Sequence, residues 1–139
     1  MVNFNYKKFI GLNDDTVKIR TAVFVEEQGF QQEFDETDKT CTHIVLYADK
    51  LPVAVCRYFK EGDNYHIGRV AILREYRGKH LGRKIMQIAA DEIKNEGGHS
   101  IEVSAQVRVS DFYKKLGYNE SGDIYLDEYC PHIRMVKEL

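Results

Sequence analysis

Three apolar, β-branched segments follow one another with only turn residues between them, and this constrains the fold more than any other feature of the chain. They are His43–Ala48, Val53–Phe59 and Tyr65–Ile72, separated by Asp49-Lys50-Leu51-Pro52 and Glu61-Gly62-Asp63-Asn64. Such runs bounded by Gly, Pro, Asn and Asp read as strands, and connections this short join antiparallel neighbours. A helix comes next. Between Leu81 and Asn95 the apolar residues fall at 81, 85, 86, 88, 89 and 93, one face of a 3.6-residue period, and Gly97-Gly98 stops it.

The rest of the chain supplies more of both element types. Val2–Tyr6 alternates as a strand, and Asn13 or Asp14 caps a helix running through Val17, Ile19-Arg20 and Val23-Phe24. Residues 29–41 are polar and read as a loop with a short helical turn. Ile101–Ala105 is a short strand, Val109–Leu116 a short helix ending at Gly117, and Ile133–Val136 a final strand. The order predicts an α+β, mixed α/β sheet with helices packed on it.

The 139 residues form one domain, 1–139, with no linker or repeat, and 43% hydrophobic residues exclude a disordered chain. No apolar run approaches the roughly 18 residues of a membrane span. Met1–Lys8 lacks the apolar stretch of a secretory signal, which predicts a cytoplasmic protein. Cys41, Cys56 and Cys130, without a C-x-x-C pair, agree with a reducing compartment. Cys41-Thr42-His43 has no second half at ligand spacing, so no metal is expected.

Charge is unevenly spread. Residues 26–40 carry six acidic side chains (Glu26, Glu27, Glu33, Asp35, Glu36, Asp38) against Lys39. Residues 69–84 carry six basic ones (Arg69, Arg74, Arg77, Lys79, Arg83, Lys84) against Glu75. A net charge of −2 argues against a general nucleic-acid binder, and only Tyr76 lies near the basic run to stack on bases. A local excess of cations in such a chain points to a compact anionic ligand.

That run sits where a strand gives way to a helix, in Val70-Ala71-Ile72-Leu73-Arg74-Glu75-Tyr76-Arg77-Gly78-Lys79-His80-Leu81-Gly82. A helix start offers unpaired N–H groups and the positive end of the dipole. Neither G-x-x-x-x-G-K-[ST] nor G-x-G-x-x-G is present. The stretch resembles the acyl-CoA-binding motif of the GNAT superfamily of N-acetyltransferases, Gln/Arg-x-x-Gly-x-Gly/Ala. Arg77 takes its first position and Gly82 its last, and His80 stands where the family usually has its first glycine. Asp111-Phe112-Tyr113-Lys114-Lys115-Leu116-Gly117-Tyr118 resembles the family's late Phe-Tyr-x-x-x-Gly-Phe/Tyr signature, with Gln106 where the family often has Asn. Arg20–Gly29 with His43, and Glu128–Met135, resemble the small bacterial ElaA-like branch.

The resemblance implies a mixed, mostly antiparallel, twisted sheet flanked by about four helices and splayed to admit a pantetheine arm. It implies direct transfer of acetyl from acetyl-CoA to a primary amine of a small molecule or peptide, without a metal. Arg77, Gly78, Lys79, His80, Leu81 and Gly82 would cradle the pyrophosphate. Arg83 and Lys84 would reach nucleotide phosphates or face solvent. Val70, Ala71 and Ile72 would bond the pantetheine arm and stabilise the oxyanion, and Gln106 would complete the cofactor set. Tyr113 takes the family position of the proton donor to sulfur. Counting back along the strand places His66 as base, with His43, Glu26, Glu27 or a water chain as competitors. Phe24, Gln28, His43 and Arg57 would line the acceptor site, with the acidic run Glu33–Asp38 drawing in a cationic amine. The alternatives are an acyl-CoA-binding sensor on the same fold and, more remotely, a nucleic-acid module; the resemblance also allows a homodimer.

Overall fold

The computed structural model describes residues 1–139. Seven strands and three α-helices alternate along the chain: β1 (Phe4–Ile10), α1 (Asp14–Arg20), β2 (Thr42–Ala48), β3 (Leu51–Glu61), β4 (Asn64–Ile72), α2 (Leu81–Asn95), β5 (Ser100–Gln106), α3 (Ser110–Lys115), β6 (Asn119–Asp127) and β7 (Cys130–Glu138). The strands form one sheet in the order β1-β2-β3-β4-β5-β7-β6. Every pairing is antiparallel except β4 with β5. This is the expected mixed sheet, with three α-helices rather than about four. The balance is a π-helical continuation of α1 over Thr21–Glu27 and short 3-10 turns.

Local chemistry sets the helices. Asn13 caps α1 by accepting from the Thr16 amide at 3.0 Å, satisfying a donor that a helix start otherwise leaves open. In α2, Leu81, Ile85, Met86, Ala89, Ala90 and Ile93 are buried, the face the spacing predicts. Along β2, side chains alternate between two layers, as a two-residue period requires. Ile44 and Leu46 join the cluster beneath α2, and Val45 joins Ile19, Val23 and Phe24 beneath α1. Each fully buried aliphatic side chain here contributes about 1.5–3 kcal/mol relative to exposure.

The feature that creates a site is the short β4–β5 ladder. It runs only from Tyr65–Ile67 against Ile101–Val103. Beyond Ile67, β4 stays paired to β3 as far as Ile72, and Arg69 adopts φ 52°, a kink in the strand. β5 meanwhile follows β7 to Gln106. The two strands part, leaving a wedge whose walls are backbone.

Candidate active site

The wedge opens onto the start of α2. Residues in alternate positions of an antiparallel ladder turn their N–H and C=O groups to opposite sides. Leu73 donates to Val53 at 2.9 Å, so the backbone groups of Val70 and Ile72 face the wedge. The Ile72 carbonyl is taken by the Arg77 Nε at 3.0 Å, and Arg77 also grips Glu27 through both terminal nitrogens, at 2.5 and 2.8 Å. Arg77 therefore braces the loop against the end of the π turn instead of presenting its charge to a ligand. Its hydrogen bond holds the Glu27 carboxyl below the usual range, so Glu27 is bound as an anion and is no candidate base.

The amides that follow are open. From Gly78 to Arg83 none donates to an acceptor of the chain; the first bond is Lys84 to the His80 carbonyl at 3.1 Å. Gly78 and His80 both have positive φ, 78° and 62°, which curls the loop around these amides. His80 thus adopts the left-handed conformation a glycine would take without strain. Gly82 contributes in a different way. A Cβ there would meet the Phe112 ring at 3.2 Å, so glycine lets α3 pack onto the start of α2. Tyr76, Gly78, His80, Arg83, Phe112 and Lys115 are among the residues lining a cavity of about 540 Å³ in front of these amides. Arg83 and Lys115 have no carboxylate partner, and Lys79 lies over the Tyr76 ring at 5.3 Å. Lys115 is not among the residues the sequence assigns to the ligand, although its i, i+3 spacing from Phe112 places both on one face of α3.

A second hollow, of about 210 Å³, is lined at the start of α3 by Val109 and Tyr113. Phe24, Gln28, Val70, Gln106 and Tyr113, all singled out in the sequence, line it together with Phe30, Glu33, Ser104, Arg108 and His132. Gln106 donates to Gln28 at 2.9 Å and accepts from Arg108 at 2.8 Å, tying the end of β5 to the segment after α1. The Tyr113 hydroxyl bonds to no group of the chain and is not sealed off. Burial pushes its phenol above the ordinary value, so it stays protonated.

Other expectations need correction. His66 sits before β4 and β5 part, stacked on Phe59 at 5.0 Å and 3.6 Å from Glu102, outside the lining of the hollow. Glu26 is exposed and does not line it either. His43 and Arg57 are buried in a separate cluster. There Asp38 bonds Arg20 at 2.6 and 3.0 Å and Arg57 at 2.8 Å, Asp35 bonds Arg57 at 2.6 Å, and Glu33 bonds Arg20 at 2.8 Å. His43 donates from Nε2 to the Asp38 carbonyl at 3.1 Å, which leaves Nδ1 enclosed without a partner; burial lowers its pKa and keeps it neutral. The acidic run is thus mostly consumed internally instead of forming a rim for a cationic amine. Asp38, Cys41 and His43 bring potential ligand atoms within 4.8 Å of one another. Yet Asp38's oxygens already serve two arginines, and those cations oppose a further positive ion.

The sheet order, the single parallel pair and the wedge beside a helix start define a GNAT-type acyltransferase fold. Residues 12–139 match the acetyltransferase (GNAT) domain family, and the chain belongs to it. It is 30% identical over 139 residues to YjcF of Bacillus subtilis, described as an uncharacterized N-acetyltransferase, with 95% of this chain and 99% of that one covered. The crystal structure of Escherichia coli ElaA superposes with a TM-score of 0.86 at 26% identity, covering 96% of this chain and 99% of its own. A GNAT family acetyltransferase from Elizabethkingia anophelis, solved with acetyl-CoA bound, shares the fold alone: TM-score 0.77 at 9% identity, 99% of each chain covered. No helix is long and apolar enough to cross a membrane.

Proposed function

We propose that the protein transfers an acetyl group from acetyl-CoA to a primary amine carried by a small molecule or peptide. The observation that carries this reading is the unbroken row of unpartnered amides from Gly78 to Arg83, curled at the start of a 15-residue helix and continuous with the β4–β5 wedge. An open amide row with a helix dipole behind it suits a pyrophosphate, and Lys79, Arg83 and Lys115 add charge. The wedge matches an extended arm that bonds to strand edges, here through the groups of Val70 and Ile72. The acetyl carbonyl then falls near the Val70 amide, which stabilises the oxyanion as the amine adds.

Tyr113 acts on the sulfur. With its proton held tightly by burial, it serves best as a hydrogen-bond donor to the thiolate as the C–S bond breaks. Complete proton transfer from a phenol so raised to a thiolate of ordinary basicity is uphill. Phe24, Gln28 and Gln106 shape the acceptor side of the same hollow.

Thermal unfolding with and without acetyl-CoA tests the reading first. At a concentration about 100 times Kd, binding to the native state alone adds about 2.7 kcal/mol, a rise of several degrees in Tm. Gly82→Asp, which sets a carboxylate among the open amides and a Cβ against Phe112, abolishes the rise. Thiol release in a panel of primary amines then reports transfer. No shift at millimolar acetyl-CoA overturns the proposal.

A further inference from the structure

We infer that His132, on β7, is the group that takes the proton from the acceptor amine. The assignment rests on the transfer reading above and adds the residue that this reading leaves without a name. Of the histidines, His43 is sealed in the arginine cluster and His66 lies outside the hollow; His132 lines it. Its ring is fixed in place and in tautomer. Nδ1 lies 2.9 Å from the Cys130 carbonyl, which only accepts, so Nδ1 carries the hydrogen and the neutral ring keeps its lone pair on Nε2. Nε2 bonds to no group of the chain, and it is not among the polar atoms enclosed without a partner. An unpaired acceptor on an otherwise buried side chain, 6% exposed and lining a hollow, points at whatever fills that hollow.

The surroundings support a proton-transfer role. In the sheet His132 stands directly between Gln106 on β5 and Tyr125 on β6. Its ring stacks on Tyr125 at 5.9 Å and meets the edge of Phe30 at 6.5 Å, so it is aimed as well as placed. The charged groups lining the same hollow are Glu33, Arg69, Arg108 and Asp127. Neither arginine accepts a proton. Glu33 is engaged by Arg20 at 2.8 Å and lies 3.3 Å from Arg69, and Asp127 is exposed at the end of β6.

In the step itself, the amine nitrogen forms the C–N bond and sheds its proton to Nε2. The C–S bond breaks with its electron pair leaving on sulfur, beside the Tyr113 hydroxyl. The imidazolium returns its proton to water through the open side of the hollow. An imidazole nitrogen with a free lone pair can both take such a proton and release it.

The test compares wild type, His132→Asn and His132→Ala by thiol release with a primary amine and saturating acetyl-CoA. His132→Asn keeps a donor for the Cys130 carbonyl but has no basic nitrogen. Its kcat/KM is expected to fall about 10²- to 10⁴-fold, the usual range for a lost acid–base group, while the acetyl-CoA thermal shift is retained. Free imidazole restores turnover to His132→Ala and not to wild type, which a packing defect would not show. Where the alanine variant does not fold, the asparagine variant decides alone. If either folded variant keeps turnover within threefold of wild type, or if imidazole fails to rescue folded His132→Ala, the assignment falls while the transfer reading stands. A wild type that binds acetyl-CoA but acetylates no amine overturns both.

Discussion

Two regions of this molecule concentrate charged and hydrogen-bonding groups, and they resolve that burden in opposite ways. In the cluster of Arg20, Arg57, Arg69, Glu33, Asp35 and Asp38, nearly every group finds a partner in the chain; the Arg57 Nε is an exception. At the start of α2, the amides from Gly78 to Arg83 find none, and the Arg83 and Lys115 cations have no carboxylate partner. Both include a connection beside the sheet, and both look highly charged in sequence. The difference shows that local charge does not mark a binding site; charge and hydrogen-bonding capacity left unspent do. The first region fastens the 29–41 loop to the strands that form the hollow, and the second keeps its amides open.

The largest effect that separates the two belongs to the closed cluster. Arg20→Ala leaves Asp38 and Glu33 buried with one cation fewer, and urea denaturation is expected to show a loss of about 3–5 kcal/mol. Acid sensitivity should change with it. Burial raises the Asp38 pKa, but Arg20, the Asp35 amide and Arg57 outweigh burial and hold the carboxyl far below the usual range. That stabilisation is fully present above the unfolded value near 3.9 and is lost as pH falls toward the folded one. Glu33, raised by burial despite Arg69 and Arg20, contributes with the opposite sign, favouring the fold as it protonates. In Arg20→Ala the loss of stability below about pH 4 should therefore be shallower than in wild type.

The next effect tests the open side. On the proposed mechanism Tyr113→Phe removes one hydrogen bond to a developing anion, worth about 1.5–3 kcal/mol, so turnover should fall roughly 10- to 100-fold with the acetyl-CoA thermal shift intact. A variant within twofold of wild type would reduce Tyr113 to packing. The smallest effect sharpens the role of the loop's curl. His80→Gly relieves a left-handed conformation and adds chain entropy when unfolded, and calorimetry should show a net change of no more than about 1 kcal/mol. Its acetyl-CoA Kd should stay equal or tighten, since the proposed pyrophosphate contacts run to amides and not to the side chain.

Much of this was legible in the sequence where periodicity and burial coincide. The β2–β3–β4 meander, the apolar face of α2 and the strand–loop–helix transition at Ile72–Leu81 follow from spacing and turn residues alone. β6 was not legible: it is an edge strand, largely exposed, with Ser121-Gly122-Asp123 in its middle, so no alternation announces it. The site divided along the same line. Tyr113, Gln106, Gln28 and Phe24 line one hollow, whereas His43, Arg57 and the acidic run are held in a separate cluster by contacts distant in sequence. Arg20 and Arg57 meet at Asp38 only because α1, β3 and the 29–41 loop converge. His132 was visible as part of a recognisable stretch, but its freedom at Nε2 depends on a carbonyl two residues away and on two aromatic neighbours from other elements.

The brevity of the parallel ladder also has a mechanical side. Strands β1 to β4 form one antiparallel block and β5, β7 and β6 another, and the sheet joins them through only Tyr65–Ile67 and Ile101–Val103. A ligand arm lying in the wedge would supply the missing rungs, so the substrate becomes for a moment a strand of the sheet and stitches its halves together. Each turnover would then be a cycle of stiffening and loosening. Amides on the facing edges of β4 and β5 would alternate between slow and fast hydrogen exchange as the arm enters and leaves.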